Sequence, residues 1–283
     1  SVPLTISSST TWTGFVSVAS DIQIPSGVTL TISGSTTVVN ISQGKRIVVN
    51  PGGKLIINGA TLTNNCGFMW KGIEVIGSGP QVPYNTSICG KVDIINGATI
   101  QNSTNGVRAV GGGIIRATSS NFKNNVIAAQ LEVYQSFNPN FPFQPLNDAS
   151  YFTNCLFETN SSYPVTGNPL PDKFVFLNDV HGVRFFGDKF INTTTTTSPL
   201  YYVGKGIVSF DSHFYVNWYC TNTNCTGAIP SRFENLNYGI DASNSNPLIT
   251  VSINNSQFVQ NNFGIALTGM DYATVAFNTF NVR

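Results

Sequence analysis

Apolar and polar residues alternate along many short segments of this chain. Leu55 and Ile57 are separated by one residue, and so are Val251 and Ile253. Alternation with a period of two is typical of strands, and the i, i+3, i+4 spacing of an amphipathic helix is absent. The pattern therefore predicts an all-β chain built from many short strands.

These predicted strands belong to a repeated unit. Residues 27–34 align with 52–59 at an offset of 25, and residues 233–240 align with 258–265 at the same offset. One large apolar residue closes each unit, and the shortest spacings between successive closing residues lie near 22–25. The closing residues are Leu62, Ile100, Phe122, Phe157, Phe190, Phe233, Phe258 and Phe280.

A unit of this length, with three short strands and Gly or Asn at its bends, is typical of one coil of a right-handed parallel β-helix. Each coil pairs its backbone with the coils above and below, and equivalent inward side chains stack. Gly and Asn tolerate the left-handed bends at the corners. A leucine-rich repeat requires a helical segment, and a β-sandwich does not repeat at a constant offset. We therefore predict a right-handed parallel β-helix of roughly ten coils with its six closing phenylalanines stacked inside.

The segments between the repeats suggest the domain organisation. Residues 1–24, with Trp12 and Phe15, are expected to form an N-terminal cap, and residues 25–283 the β-helix. Insertions are expected near 134–149, 161–172, 193–205 and 212–231, where Pro, Thr and aromatic residues concentrate. Only three residues follow the strand-like segment 275–280, so a C-terminal continuation of the stack is expected.

Composition narrows the possible functions. Charged residues make up 10% of the chain, against roughly 25% in an average soluble domain, and the formal net charge is +1. This balance provides no basic face for nucleic acid and no polybasic membrane surface. No apolar run is long enough for a membrane-spanning helix. We therefore expect no nucleic-acid partner and no membrane span, and the sequence predicts no cofactor and no metal site.

The five cysteines favour an oxidising compartment. Cys220 and Cys225 are close enough in sequence for a local disulfide, and Cys66 and Cys89 could close a second loop. Cys155 would then be unpaired and buried. The alternative is a set of reduced, buried thiols. Together with the low charge and the abundant Ser, Thr, Asn and Gly, the cysteines indicate export.

Two stretches resemble a known family. Residues 51–63, Pro-Gly-Gly-Lys-Leu-Ile-Ile-Asn-Gly-Ala-Thr-Leu-Thr, precede Met-Trp-Lys-Gly-Ile-Glu-Val at 69–75, and Phe-x-x-Asn-x-x-Gly-Ile recurs near the end. These segments are similar to the N-terminal β-helix regions of large secreted Bacteroidota proteins, substrates of type IX secretion. The resemblance implies a location in the medium or on the cell surface, with surface glycans or the secretion machinery as partners. It implies little about activity.

Two Asp-x-His segments are the best candidates for catalysis. Asp179 and His181 lie 32 residues before Asp211 and His213, and Arg184 follows closely. A register of 32 between coils would stack both pairs for acid–base work or metal binding, whereas a register of 33 would separate them. The alternative is two unrelated surface turns. The Asp-Asp, Asn-Thr-Asp and Gly-His-Gly motifs of β-helical pectinases are absent.

Aromatic residues of the insertions are candidates for ligand binding. Tyr201, Tyr202 and Trp218 lie on loops beside the predicted coils, where aromatic rings can stack on sugars. Alternatively, the loops cover the flank of the helix with their own apolar side chains. The first functional hypothesis is a non-enzymatic, adhesin-like segment of an exported protein. The second is a polysaccharide lyase or glycoside hydrolase with a site on the middle coils.

Overall fold

The structure is a computed structural model. It describes residues 2–79, 87–134, 137–138, 141–145, 148–222, 224–246 and 249–281. The described strands, in chain order, are β1 (Leu4–Thr5), β2 (Thr10–Trp12), β3 (Phe15–Val18), β4 (Ile22–Ile24), β5 (Thr29–Ser33), β6 (Val38–Ile41), β7 (Arg46–Val49), β8 (Lys54–Asn58), β9 (Thr61–Thr63), β10 (Trp70–Ile76), β11 (Lys91–Ile95), β12 (Thr99–Gln101), β13 (Ser103–Val110), β14 (Ile114–Thr118), β15 (Asn121–Lys123), β16 (Ile127–Tyr134), β17 (Phe137–Asn138), β18 (Phe141–Pro145), β19 (Tyr151–Thr153), β20 (Leu156–Thr159), β21 (Lys173–Phe186), β22 (Lys189–Asn192), β23 (Lys205–Phe210), β24 (His213–Asn217), β25 (Ser231–Glu234), β26 (Tyr238–Ser243), β27 (Val251–Asn254), β28 (Ser256–Val259), β29 (Phe263–Thr268), β30 (Ala273–Ala276) and β31 (Thr279–Asn281).

Each coil contributes one strand to each of three parallel sheets. Sheet A contains β1, β4, β7, β10, β13, β16, β21, β23, β26 and β29. Sheet B contains β2, β5, β8, β11, β14, β19, β21, β24, β27 and β30. Sheet C contains β3, β6, β9, β12, β15, β20, β22, β25, β28 and β31. β21 runs round a corner and belongs to sheets A and B. The prediction of an all-β parallel β-helix of about ten coils is confirmed.

Stacked phenylalanines fill the core beneath sheet C. Phe122, Phe157, Phe190, Phe233, Phe258 and Phe280 are partners in successive strands. Neighbouring rings are parallel, with centroids 4.6–5.0 Å apart. The first five are buried, while Phe280, on the last described coil, is 50% exposed. The predicted repeat alignment therefore corresponds to the observed register of sheet C.

The Gly-Ile element of the repeat has a packing cause. A Cβ atom on Gly239 would lie 2.8 Å from the ring of Phe258 and 2.5 Å from the carbonyl oxygen of Gly264. Gly206 has the same relation to Phe233, whose ring would lie 2.7 Å from the added atom. In the late coils, each phenylalanine of sheet C therefore packs against the bare backbone of the sheet A strand of its own coil.

The predicted segment boundaries fall as follows. The range 1–24 contains the three strands of the first coil and then β4, the first strand of the second coil. The range 212–231 contains β24, a strand of sheet B, so the loop that leaves this coil is 218–230. The range 134–149 contains an antiparallel hairpin of β17 and β18, and residues 135–136, 139–140 and 146–147 lie outside the described residues.

Two of the insertions cover the flank of the helix. Tyr163 in 161–172 and Leu200 in 193–205 are buried against Met69 and Val126. The Tyr163 hydroxyl donates to the carbonyl oxygen of Pro169 at 2.6 Å, and burial raises the pKa of this phenol well above its usual range. At these positions the covering role proposed as the alternative is observed.

The cysteines divide into one bonded pair and three free thiols. Cys220 and Cys225 form a disulfide within loop 218–230, with Cα atoms 4.8 Å apart. Cys66 is exposed, whereas Cys89 and Cys155 are buried, and all three are free. The second disulfide suggested between Cys66 and Cys89 is therefore not formed, whereas Cys155 is unpaired and buried as predicted.

Candidate functional site

The outer face of sheet B carries a line of alternating arginine and tyrosine side chains. Arg116, Tyr151, Arg184 and Tyr215 are register partners on four successive coils. Their neighbours along each strand point inward and are buried, so strand alternation places these four on the outside. We call these four residues the Arg–Tyr column. All four are half-buried, since each lies against the next.

The two arginines of the column differ from other arginines of the chain in their ion pairing. Arg46, Arg108 and Arg232 form salt bridges with Glu74, Glu132 and Glu234, respectively. Among the described residues, neither Arg116 nor Arg184 has an ion-pair partner.

The two guanidinium groups lie close against the column. The Nε atom of each is buried without a hydrogen-bond acceptor among the described residues. The Arg184 guanidinium carbon lies 5.6 Å from the Tyr151 ring centroid, within the range of a cation–π contact. The column therefore presents two positive charges that form no salt bridge with the described residues.

The two histidines lie edge to face beside this column. His181 of β21 and His213 of β24 are register partners, with ring centroids 6.5 Å apart. The observed register at this point is therefore 32, the alternative that brings both Asp-x-His segments together. The register then shifts between His181 and Val183, where β21 carries one extra residue.

Burial determines the protonation of both imidazoles. Desolvation lowers the pKa of His181, and the nearby charge of Asp179 partly offsets this effect. Desolvation also lowers the pKa of His213, and His181 lowers it further. Both rings are consequently neutral at pH 7, when each offers one donor and one acceptor.

The two aspartates lie at corners of the coil rather than in a groove. Asp179 and Asp211 have positive φ angles of 54° and 46°, which mark the bend between sheets A and B. The Asp211 carboxylate accepts hydrogen bonds from the backbone N–H and the hydroxyl group of Ser245. This arrangement fixes a turn. Among the described residues, no group of three or more His, Cys, Asp or Glu side chains is arranged to hold a metal ion.

An open cleft continues the face towards the last coils. It has a volume of about 540 Å³ and is lined by hydroxyl and aromatic side chains, with one carboxylate. His213 and Tyr215 form one wall, and their ring centroids are 4.5 Å apart. Ser252 and Asp271 lie on the following coils. The candidate site therefore runs from Arg116 to this cleft.

The three aromatic residues predicted on the loops do not form one cluster. Tyr201 and Tyr202 lie on the connection from sheet C to sheet A, and their rings contact each other at 4.2 Å. Trp218 follows β24 on the connection from sheet B to sheet C and is 42% exposed. Trp218 is thus next to the end of a sheet B strand, whereas the two tyrosines lie at a different corner.

A buried carboxyl group escaped the sequence analysis. Asp188 is fully buried, and its Oδ1 accepts a hydrogen bond from the backbone N–H of Cys155 at 2.7 Å. Burial raises the pKa of Asp188 and also that of the Cys155 thiol, which the Asp188 charge raises further. A thiol with a raised pKa is a poor nucleophile, so this pair supports the fold rather than catalysis.

The sequence contained signals for the buried Asp188 and for the Arg–Tyr column. Asp188 stands two residues before Phe190, as Cys155 does before Phe157, so aligning the closing phenylalanines would have revealed the buried position. Arg116 lies between inward Ile115 and Ala117, in the same pattern as Arg184. Only the register across the long insertions shows that these outward residues share one line.

Comparisons with known proteins add little to this description. No protein-family model matches the chain, and no curated protein matches it. Among solved structures, the surface protein and adhesin PfbA of Streptococcus pneumoniae is similar at 11% sequence identity and a TM-score of 0.19. The alignment covers 99% of this chain and 88% of that chain. In its described part the chain has no helix long and apolar enough to cross a membrane. At this TM-score the likeness carries no functional argument, and the assignment of a parallel β-helix rests on the strand pairing.

Proposed function

We propose that this chain is a non-catalytic, adhesin-like β-helix module that binds glycans on the outer face of sheet B. The observation that carries the proposal is the Arg–Tyr column. A tyrosine ring offers an apolar surface with a polar edge, which suits a sugar ring. The stacked coils hold the four side chains rigidly, so little conformational entropy is lost when a ligand binds.

Export to the medium or the cell surface is part of this proposal. The disulfide between Cys220 and Cys225 supports it, because such bonds persist in oxidising compartments. The family resemblance adds type IX secretion as the proposed route. We expect a thiol titration of the denatured, non-reduced protein to find three free thiols, from Cys66, Cys89 and Cys155. Five free thiols would remove the support for an oxidising compartment.

Trp218 is proposed as a peripheral contact of the same surface. It follows the strand that carries Tyr215, and it is exposed. Tyr201 and Tyr202 lie at another corner and are proposed only as a separate, secondary contact. Replacing Trp218 by Ala should weaken glycan binding modestly, whereas Tyr215→Ala should weaken it strongly.

A carbohydrate-active enzyme is the second candidate, and the stacked pairs at Asp179/His181 and Asp211/His213 favour it. A hydrolase of the usual kind needs two carboxyl groups flanking the scissile bond. Here Asp211 is engaged by Ser245 at a corner of the coil, and Asp179 lies at the equivalent corner of the preceding coil. These features support binding over turnover.

Binding and turnover can be separated in one experiment. The purified chain is incubated with a panel of neutral and uronate polysaccharides, with and without calcium, and both bound protein and released sugar are measured. We expect retention on at least one polysaccharide without product release, and loss of retention in Tyr215→Ala. Product release that is abolished by His181→Ala or Asp211→Ala would establish the enzyme instead. Retention unchanged in Tyr215→Ala would place binding elsewhere.

A further inference from the structure

The charges around the Arg–Tyr column restrict the ligand it can accept. Asp93 is the register partner of Arg116 on the preceding coil, but its carboxylate is bound by Lys54 at 2.7 Å. At the other end, Asp271 lines the cleft beyond Tyr215. The middle of the face therefore has two arginine charges without carboxylate partners among the described residues.

The spacing of these charges is set by the coils. Arg116 and Arg184 are two coils apart, and Tyr151 stands between them. At a strand spacing of ~4.8 Å, the two guanidinium groups repeat after about 9.6 Å along the helix axis. This distance is close to the length of a disaccharide unit in an extended polysaccharide. A chain running parallel to the axis would meet a positive charge at every second sugar and an aromatic ring between them.

The form of the charged group also indicates the ligand. A guanidinium group presents parallel N–H donors that match a planar carboxylate, and such pairs are short and directional. Neither guanidinium group donates a hydrogen bond to another described residue, and the Nε atom of each is buried. Their terminal N–H donors are thus available to a ligand.

From these observations we infer that the Arg–Tyr column binds a linear uronate polysaccharide lying along the helix axis, with carboxylates on Arg116 and Arg184. The inference rests on the proposed glycan-binding function and names the ligand class for that site. Tyr151 and Tyr215 contact the sugar rings with the parts of their rings that face outward, and the hydroxyl groups of the adjoining cleft contact the sugar hydroxyls. Asp271 limits how far a uronate chain extends towards the last coil.

A matched pair of ligands tests this inference. Polygalacturonate oligomers and the same oligomers with their carboxyl groups reduced to alcohols are titrated into the protein by calorimetry. We expect the native oligomers to bind at least about tenfold more tightly, because each charged hydrogen bond contributes enough for that factor. Arg184→Gln and Arg116→Gln should each lose about tenfold for the native oligomers and little for the reduced ones.

A matched variant controls for general charge effects. Arg108→Gln removes an arginine of sheet A that is paired with Glu132, and it should leave the affinity unchanged. Circular dichroism and thermal melting verify that each variant is folded. Because Arg116→Gln and Arg184→Gln change different coils, each variant tests the inference separately.

The failures of the two claims are distinguishable. Equal affinity for native and reduced oligomers, with loss of binding in Tyr151→Ala, would overturn the uronate inference and keep glycan binding. Tighter binding of a sulfated polysaccharide than of polygalacturonate would also overturn the choice of carboxylate. Binding of no polysaccharide in the panel would overturn the proposed function itself.

Discussion

The outer faces of sheets A and B are built from the same kinds of residue but differ in how their charges are balanced. On sheet A, Lys205 lies 4.7 Å from the ring centroid of Tyr238 and 2.7 Å from the carboxylate of Asp241. Arg108 pairs with Glu132 on the same face. On sheet B, Arg184 lies over Tyr151 with no carboxylate partner among the described residues.

The difference shows that stacking of a cation on an aromatic ring does not by itself identify a binding site. Neighbouring coils place outward side chains about 4.8 Å apart, so stacking is a general consequence of the fold. A carboxylate on the adjacent coil forms a salt bridge with the cation, which is then less available to bind a ligand. Where the carboxylate is missing, the same geometry holds a charge ready for a partner. The absence of a carboxylate partner among the described residues, rather than the presence of aromatic rings, distinguishes the two arginines of the Arg–Tyr column from the paired cations of sheet A and from Lys54 of sheet B.

The largest expected effect concerns the core that supports both faces. Phe190→Ala removes a fully buried ring that stacks between Phe157 and Phe233. The cavity should lower the free energy of unfolding by about 3–5 kcal/mol, measured by urea denaturation. Tyr272→Ala, at a position 60% exposed, should change it by less than about 0.5 kcal/mol. Similar losses in both variants would mean that the phenylalanine stack does not carry the core.

The buried carboxyl group of Asp188 should make stability depend on pH. The raised pKa of Asp188 means that the native state keeps a proton that the unfolded state has released. Stability from this group is therefore highest at low pH and falls as pH rises through that window, by up to about 1.4 kcal/mol per pH unit.

Asp188→Asn should remove this decline, because the amide does not titrate. Compared with wild type, the variant should gain relative stability as pH rises from 4 to 8, as measured by urea denaturation at each pH. Asp93→Asn, at a partly buried carboxylate that forms a salt bridge with Lys54, serves as the control and should show no such gain. A difference between wild type and Asp188→Asn that is independent of pH would contradict the raised pKa.

The smallest expected effect concerns the contribution of the outer-face arginines to stability. A double-mutant cycle on Arg108 and Glu132 should give a coupling free energy of about 0.2–1 kcal/mol, as for partly exposed ion pairs. Arg184→Gln should change stability by no more than about 0.5 kcal/mol, since no carboxylate is left unpaired. If Arg184→Gln is as destabilising as breaking a buried pair, then the side chain has a structural role.

The fold could be predicted from the sequence more completely than the candidate site. The closing residues from Leu62 to Phe280 were aligned correctly because identical side chains stack in the core and leave a period in the sequence. The outer column leaves no such period, since Arg and Tyr alternate and long insertions separate them. The sequence singles out Arg184 beside a histidine. Its partners in the column, Arg116 and Tyr151, can be recognised only from the strand register.

The most direct test of the sheet B assignment compares the two faces in one sample. Hydroxyl-radical footprinting is carried out with and without saturating polygalacturonate oligomers, and oxidation is measured at individual aromatic residues. We predict that the ligand protects Tyr151 and Tyr215 on sheet B and leaves Tyr238 and Phe263 on sheet A unchanged. Protection of Tyr238 and Phe263, with Tyr151 and Tyr215 unaffected by bound ligand, would contradict the assignment of the binding face.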